Sequence, residues 1–303
     1  RVGAATLASC ALGWELPVAA RRLYPFDSHW LDVGGARLHY VDEGCGNPVV
    51  CVHGNPTWSF FFRGVIQAFR DSCRVVVPDH VGCGLSDRPG DAEYDYTLDR
   101  RADDLVALFE ALDLRRVTLV VHDWGGMVGL TAALRQPERI ARIVAMNTAA
   151  FLRPGGKGIP WTIRVIRSGV GEFLARGLNL FVRGAARWCA MEPLPPDVRD
   201  GYLFPYDSWR NRIAVARFVQ DIPASPADRS YATAKWVDEH LHLLADRPTL
   251  LCWGLRDFVF DGDYLVEWRR RFPGATVHEF ASAGHYLLED AGQEVCAAIA
   301  EFM

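Results

Sequence analysis

A carboxylate stands where a serine is usual in the stretch VTLVVHDWGGMV, residues 117–128. A β-branched run ends in His122-Asp123-Trp124, then Gly125-Gly126 and an Ala/Leu-rich segment follow at once. This is the layout of a nucleophile elbow, strand then tight turn then helix, with aspartate in the nucleophile's place. The swap changes the chemistry. Serine needs a base to take its proton, whereas a carboxylate with a reference pKa of about 3.9 is already ionised near neutral pH. Asp123 can therefore attack an sp3 carbon directly and form an alkyl ester, leaving a histidine free to handle water. The turn also puts that charge at a helix N-terminus, where N–H groups and the helix dipole favour it.

Such a nucleophile calls for a base, an orienting acid and hydrogen-bond donors for developing negative charge. Nine histidines compete for the first role. His285, in Ala283-Gly284-His285-Tyr286, stands in the loop after the last strand, where chain order places the histidine of such a triad. His53 and His122 flank strand ends and are expected to hold loops by hydrogen bonds. Asp257, just past the apolar run ending Cys252-Trp253-Gly254, is the candidate acid for the His285 Nδ1–H; Asp261 and Asp263 are its rivals, read as surface or capping residues. Asn147 occupies another possible acid position but is an amide. Backbone N–H groups of Asn55 and Trp124 are the expected oxyanion hole, and the Asn55 amide and Trp124 indole are side-chain donors for a leaving anion. Tyr202, Tyr206 and Tyr231 are hydroxyls that can serve an epoxide, with no spacing that singles out a pair.

The elements that must hold these residues are legible in outline. A hairpin is expected from Leu31–Val33 and Arg37–Asp42 around Gly34-Gly35. Short apolar strands are expected at Pro48–Val52, Cys73–Pro78, Val117–Val121, Ile140–Met146, Thr249–Trp253 and Thr276–Phe280, and helices at Leu98–Leu112 and Gln293–Phe302. Strands alternating with helices predict an α/β fold with a mostly parallel sheet covered on both faces. From Ala150 to about Arg247 the alternation stops. That segment is rich in aromatic, arginine and proline residues (Trp161, Trp188, Trp209 and Trp236 among them) and reads as helices inserted over the strand ends. The expected organisation is a core of residues 23–149 and 248–303, a helical cap of residues 150–247, and an N-terminal extension, residues 1–22. Gly82-Cys83-Gly84 lacks the third glycine of a dinucleotide fingerprint and reads as a turn.

Composition excludes several classes. A net charge of -4 leaves no footprint for nucleic acid. No apolar stretch is long enough to span a bilayer. The eight cysteines are scattered without metal-ligand spacing, so we expect core thiols, no metal and no cofactor. The small-residue-rich start resembles the apolar part of a signal peptide, but the cytoplasm is the default expectation.

HGNPTW, PDHVGCGLSDRP, VHDWGG, WGLRDFVFD and AGHYLLED together resemble the haloalkane dehalogenases of the α/β-hydrolase superfamily, from about Tyr24 to the C-terminus. The resemblance implies Asp123 as nucleophile, His285 as base, Asp257 as acid, and Asn55 with Trp124 as the pair that binds halide or carboxylate. An acid after the later strand combined with the Asn/Trp pair is similar to the third dehalogenase subgroup. That subgroup includes the β-lactone decarboxylases of bacterial long-chain olefin biosynthesis, which the cap segments NTAAF, PYDSWRNRIA and RFVQDIP resemble more closely. It implies a small apolar substrate, a β-lactone or a haloalkane, and enzymes of an olefin pathway as possible partners. An epoxide hydrolase and a non-catalytic ligand receptor are the remaining alternatives.

Overall fold

The computed structural model describes residues 18–154 and 161–303, so most of the N-terminal extension and the Trp161 side chain lie outside the described residues. Eight strands form one sheet: β1 (His29–Asp32), β2 (Arg37–Glu43), β3 (Pro48–Val52), β4 (Arg74–Pro78), β5 (Val117–Asp123), β6 (Ile140–Thr148), β7 (Thr249–Gly254) and β8 (Thr276–Phe280). Their order is β1-β2-β4-β3-β5-β6-β7-β8. The β1–β2 hairpin and the β2–β4 pair are antiparallel. Every pair from β4 through β8 is parallel.

The helices are α1 (Val18–Leu23), α2 (Arg63–Phe69), α3 (Leu98–Ala111) and α4 (Trp124–Arg135), then α5 (Trp161–Ile166), α6 (Gly169–Gly177), α7 (Leu180–Trp188), α8 (Pro196–Leu203), α9 (Ile213–Gln220) and α10 (Tyr231–His240), and finally α11 (Gly262–Arg271), α12 (Leu287–Asp290) and α13 (Gly292–Phe302). Between β6 and β7 the described residues form helices and turns and no strand.

The central strands are apolar throughout because both faces are covered. Successive side chains alternate faces. Val50, Val52, Leu119, Val121 and Trp253 therefore join one core cluster with α3, α4 and α11. Val49, Cys51, Val120, Val144 and Cys252 join the other with α2 and α13. The cysteines among the described residues are free thiols, and Cys51 and Cys252 behave as core apolar groups. No helix among the described residues is long and apolar enough to cross a membrane.

This architecture decides where chemistry sits. β3, β5, β6, β7 and β8 run in one direction, so the segments following Val52, Asp123, Thr148, Gly254 and Phe280 emerge on one edge of the sheet.

Candidate active site

β5 ends at Asp123, which adopts φ 52° and ψ −128° before α4 begins at Trp124. A non-glycine residue at positive φ is strained. What makes the elbow possible is close packing by glycine. A Cβ on Gly125 would collide with the Val52 carbonyl, and one on Gly54 with the Asp123 carboxylate. Thr148 Oγ1 donates to the Asp123 carbonyl and Trp268 Nε1 donates to the Thr148 carbonyl at 2.8 Å, tying the elbow to β6 and α11.

The Asp123 side chain is buried and meets two donors. The Asn55 backbone N–H reaches Oδ1 at 2.7 Å, and His285 Nε2 stands 3.5 Å from Oδ2. His285 Nδ1 is 2.9 Å from Asp257 Oδ2. Asp257 Oδ1 accepts the Val259 N–H at 2.6 Å, so both of its oxygens are held. The structure thus brings Asp123, His285, Asp257 and Asn55 together. Of the rivals, Asp261 caps α11 through Asp263 N–H.

Burial alone would raise the pKa of Asp123, but the His285 hydrogen bond and charge, His122 and the Asn55 N–H outweigh it and hold the carboxyl below its ordinary value. Asp257 is lowered in the same way: burial opposes, and His285 and the Val259 N–H prevail. Burial pulls His285 down, yet Asp257 and Asp123 together lift it well above its ordinary value. Each group of this Asp–His–Asp row thus biases its neighbour toward the charged form, the two carboxyls toward carboxylate and His285 toward imidazolium.

Neighbouring groups fix that row. His122 Nε2 donates to the His285 carbonyl at 2.8 Å, and its ring stacks on Phe61 at 4.4 Å. Burial first, then His285, pushes its pKa down to about 4, so it serves as a neutral tether. His53 Nε2 accepts the His80 N–H at 3.0 Å, while His80 Nε2 donates to the His53 carbonyl at 2.9 Å. The segment that presents Asn55 is thereby locked to the segment after β4.

Two residues do jobs that residue type alone did not show. Asn147 Oδ1 accepts the Gly254 N–H at 2.8 Å and its Nδ2 donates to the Gly254 carbonyl at 3.1 Å. It supplies no charge, but it braces the end of β7 from which Asp257 departs. Asn55 Nδ2 donates to the Val215 carbonyl of α9 at 3.2 Å, and its buried Oδ1 has no partner. The reverse amide orientation would set two oxygens against each other, so the donor is Nδ2. The expected oxyanion-hole N–H of Asn55 rests on Asp123 itself, and its expected anion donor rests on α9. The half-buried Trp124 lies 5.4 Å, ring to ring, from Phe218. Phe260 stacks on His285 at 5.9 Å, adding an apolar wall. The Tyr202 hydroxyl donates to Glu289 and that of Tyr206 to the Thr57 carbonyl at 3.4 Å; neither bonds to Asp123.

A buried, ionised carboxylate on a strained elbow, faced by an imidazolium, is equipped for attack at carbon. The α/β hydrolase fold family matches residues 47–292. The chain belongs to the α/β-hydrolase family. Within these hydrolases it is 50% identical to a cis-3-alkyl-4-alkyloxetan-2-one decarboxylase of Shewanella oneidensis, over 93% of this chain and 89% of the relative. A protein of the same name from Xanthomonas campestris pv. campestris is 43% identical over 92% of this chain and 97% of its own length. Haloalkane dehalogenase 2 of Mycobacterium tuberculosis is 32% identical over 92% and 96%. The chain is thus an enzyme of the group that joins those decarboxylases and dehalogenases. Among solved structures, the dehalogenase DatA of Agrobacterium tumefaciens superposes with a TM-score of 0.81 at 24% identity, covering 91% of this chain and 96% of DatA; that likeness speaks for the fold.

Proposed function

We propose that the enzyme decarboxylates a cis-β-lactone bearing two alkyl chains, giving a cis-alkene and CO2. The observation that carries this choice is identity of 50% and 43%, over nearly the whole chain, to two oxetanone decarboxylases, against 32% for the dehalogenase. In this reading residues 150–247 form a cap over a core of residues 23–149 and 248–303, and enzymes that build such lactones for olefin synthesis are its natural neighbours.

Asp123 is the nucleophile. Its Oδ1 is engaged by Asn55, which leaves Oδ2 the freer oxygen. Attack on ring carbon 4 breaks the bond to the ring oxygen, inverts that carbon and forms an alkyl ester. The released carboxylate needs donors, and Asn55 Nδ2 reaches it by exchanging the Val215 carbonyl, with Trp124 beside it. The bond between carbon 3 and the carboxylate then breaks, its electron pair forms the double bond, and Asp123 is expelled. Inversion followed by anti expulsion turns the cis lactone into the cis-alkene. No water is consumed. His285, held cationic by Asp257, stabilises the charge that returns to Asp123.

Hydrolytic dehalogenation is the second reading, favoured by the same Asp–His–Asp row and the 32% identity. Esterifying Asp123 would remove one of the two carboxylates that lift the His285 pKa, freeing the imidazole to activate water. A paired assay decides. One arm offers a cis-β-lactone with two long chains and reads the cis-alkene by gas chromatography; the other offers a bromoalkane and reads bromide. Alkene with little bromide is the expected outcome. Fast bromide release without alkene would replace decarboxylation by dehalogenation.

A further inference from the structure

The outer face of α6 and α7 carries large apolar groups that folding leaves in water. Val170 is 65% exposed, Phe173 56% and Trp188 68%, and Leu178, Leu180 and Trp209 are about half exposed. Their spacing is regular. In α7, Val182, Ala185 and Ala186 face the core, whereas Leu180, Arg183, Arg187 and Trp188 fall on the opposite side at i, i+3, i+7 and i+8. In α6, Val170 and Phe173 are one turn apart, and Phe173 meets Trp209 with rings 6.3 Å apart. Leu178 and Leu180 sit at the corner where α6 turns into α7, and their exposure links the two apolar sets along the chain. Monomeric proteins seldom expose such a cluster without use for it.

Charge narrows the use. The whole chain carries -4, yet residues 161–188 hold five arginines against the single acid Glu172. Glu172 is turned inward, paired with Arg176 and Arg217. Arg164, Arg183, Arg187 and Arg210 are exposed and carry no ion pair among the described residues. Aromatic and aliphatic side chains interleaved with unpaired arginines match an anionic lipid interface, where rings and chains enter the headgroup layer and guanidinium groups meet phosphate. A second copy of the chain fits worse, because a twofold contact would bring two copies of the same arginine-bearing face together with no acid to pair them.

The same helices reach the site. α7 is followed by Cys189, whose carbonyl accepts the N–H of Tyr286, the residue after His285, at 2.7 Å. The Met191 N–H holds Asp290 Oδ1 at 2.9 Å. A substrate leaving a bilayer under α6 and α7 would therefore enter beside the His285 loop.

We propose that the α6–α7 face seats the enzyme on the surface of anionic bilayers, from which it takes an apolar substrate. The second clause rests on the lactone reading; lipid binding does not, and its test uses no turnover. The full chain is sedimented with phosphatidylcholine vesicles, with and without phosphatidylglycerol, across a salt series. Wild type should pellet with the anionic vesicles and be released by salt. Charge reversal by R183E with R187E should cut the anionic partition coefficient by about tenfold or more. F173S with W188S should weaken binding at every salt concentration. Thermal melts, and turnover of a short-chain substrate in free solution, should stay at wild-type values. Failure of wild type to pellet with anionic vesicles, or equal partition of wild type and folded variants, overturns the proposal. So does a doubled mass in light scattering that F173S with W188S abolishes, which would assign the face to a second copy.

Discussion

Two buried histidine–aspartate pairs invite comparison. His285 and Asp257 follow β8 and β7, with Nδ1 and Oδ2 2.9 Å apart. His39 on β2 and Asp79 just after β4 meet in the same way at 2.8 Å. The acids are similarly satisfied: Asp257 accepts the Val259 N–H, and Asp79 accepts the N–H groups of Ser59 at 2.6 Å and Leu85 at 2.9 Å. What differs is the third member. His285 Nε2 faces the Asp123 carboxylate, whereas His39 Nε2 faces the Ser28 hydroxyl at 3.0 Å. Around the second pair the bonds close a loop: the His39 N–H donates to Ser86 Oγ, and Ser86 Oγ donates to the Asp79 carbonyl. A histidine–aspartate pair is thus a structural unit first. What sets the two pairs apart is the group each imidazole is aimed at.

The largest break in this comparison is removal of the group His285 faces. Asp123→Asn keeps the shape and removes the proposed nucleophile, and turnover of lactone should fall by at least about 10^4-fold. Alkene yield on a protein with an unchanged melting curve measures it, and substantial residual turnover would take Asp123 out of the mechanism. Asp257→Asn comes next. The imidazolium loses its partner and its preferred tautomer, so kcat should drop by about 10^2–10^4-fold. The His285 pKa, followed by NMR, should fall as well, because Asp257 is the first of the groups that raise it. An unchanged pKa would mean that Asp257 acts through packing alone.

The reasons one half of the comparison could be read in sequence are physical. Asp123 and Asp257 lie at or just beyond short apolar runs and His285 follows the last strand, and a parallel sheet delivers such residues to one edge whatever the loops do. Asn147 and Asn55 were harder. Their side-chain bonds reach Gly254 and Val215, 107 and 160 residues away, and contacts that distant leave no periodic trace. The insertion was readable as helical, but not where its helices break. α6 gives way to α7 at Asn179, at φ 56°, a backbone choice that nothing in the surrounding apolar pattern announces. The Asp79–Asp87 turn lies between these cases: Gly82 and Gly84 signal it, and both adopt positive φ, but the buried His39–Asp79 pair beneath it carries no motif.

Asp79→Asn should act on stability rather than chemistry. It leaves the shape and removes a buried charge that three donors share, which costs about 2–4 kcal/mol. Burial opposes ionisation of Asp79, but His39, His53 and the Leu85 N–H hold its pKa below the ordinary value. A carboxylate lowered on folding contributes stability above its unfolded pKa of about 3.9 and loses it as pH falls through the folded value. The gap between wild type and Asp79→Asn, read by urea unfolding, should therefore be full at neutral pH and shrink in acid. Turnover per folded molecule should stay within about threefold, as a residue outside the reacting centre allows. A collapse of kcat without loss of stability would make the two pairs equals.

Ser28→Ala is the smallest change and the sharpest control. Ser28, His39 and Asp79 have the connectivity of a hydrolytic triad, hydroxyl to imidazole to carboxylate. Their surroundings nonetheless deny them that role. His39 pairs with the residue just after β4, so it stands at the same edge of the sheet as Asp123, but its ring and the Asp79 carboxylate are wholly buried. Ser28 precedes β1 and lies outside the segments that reach Asp123. Its hydroxyl satisfies a buried ring nitrogen, and removing one neutral partner costs about 0.5–1.5 kcal/mol. Turnover of lactone, and of any ester offered as a probe, should be unchanged, and a serine-directed phosphonate should leave Ser28 unlabelled in the wild type. Labelling that disappears in the variant would show that the second pair has a nucleophile of its own, and the group each pair faces would no longer separate the two.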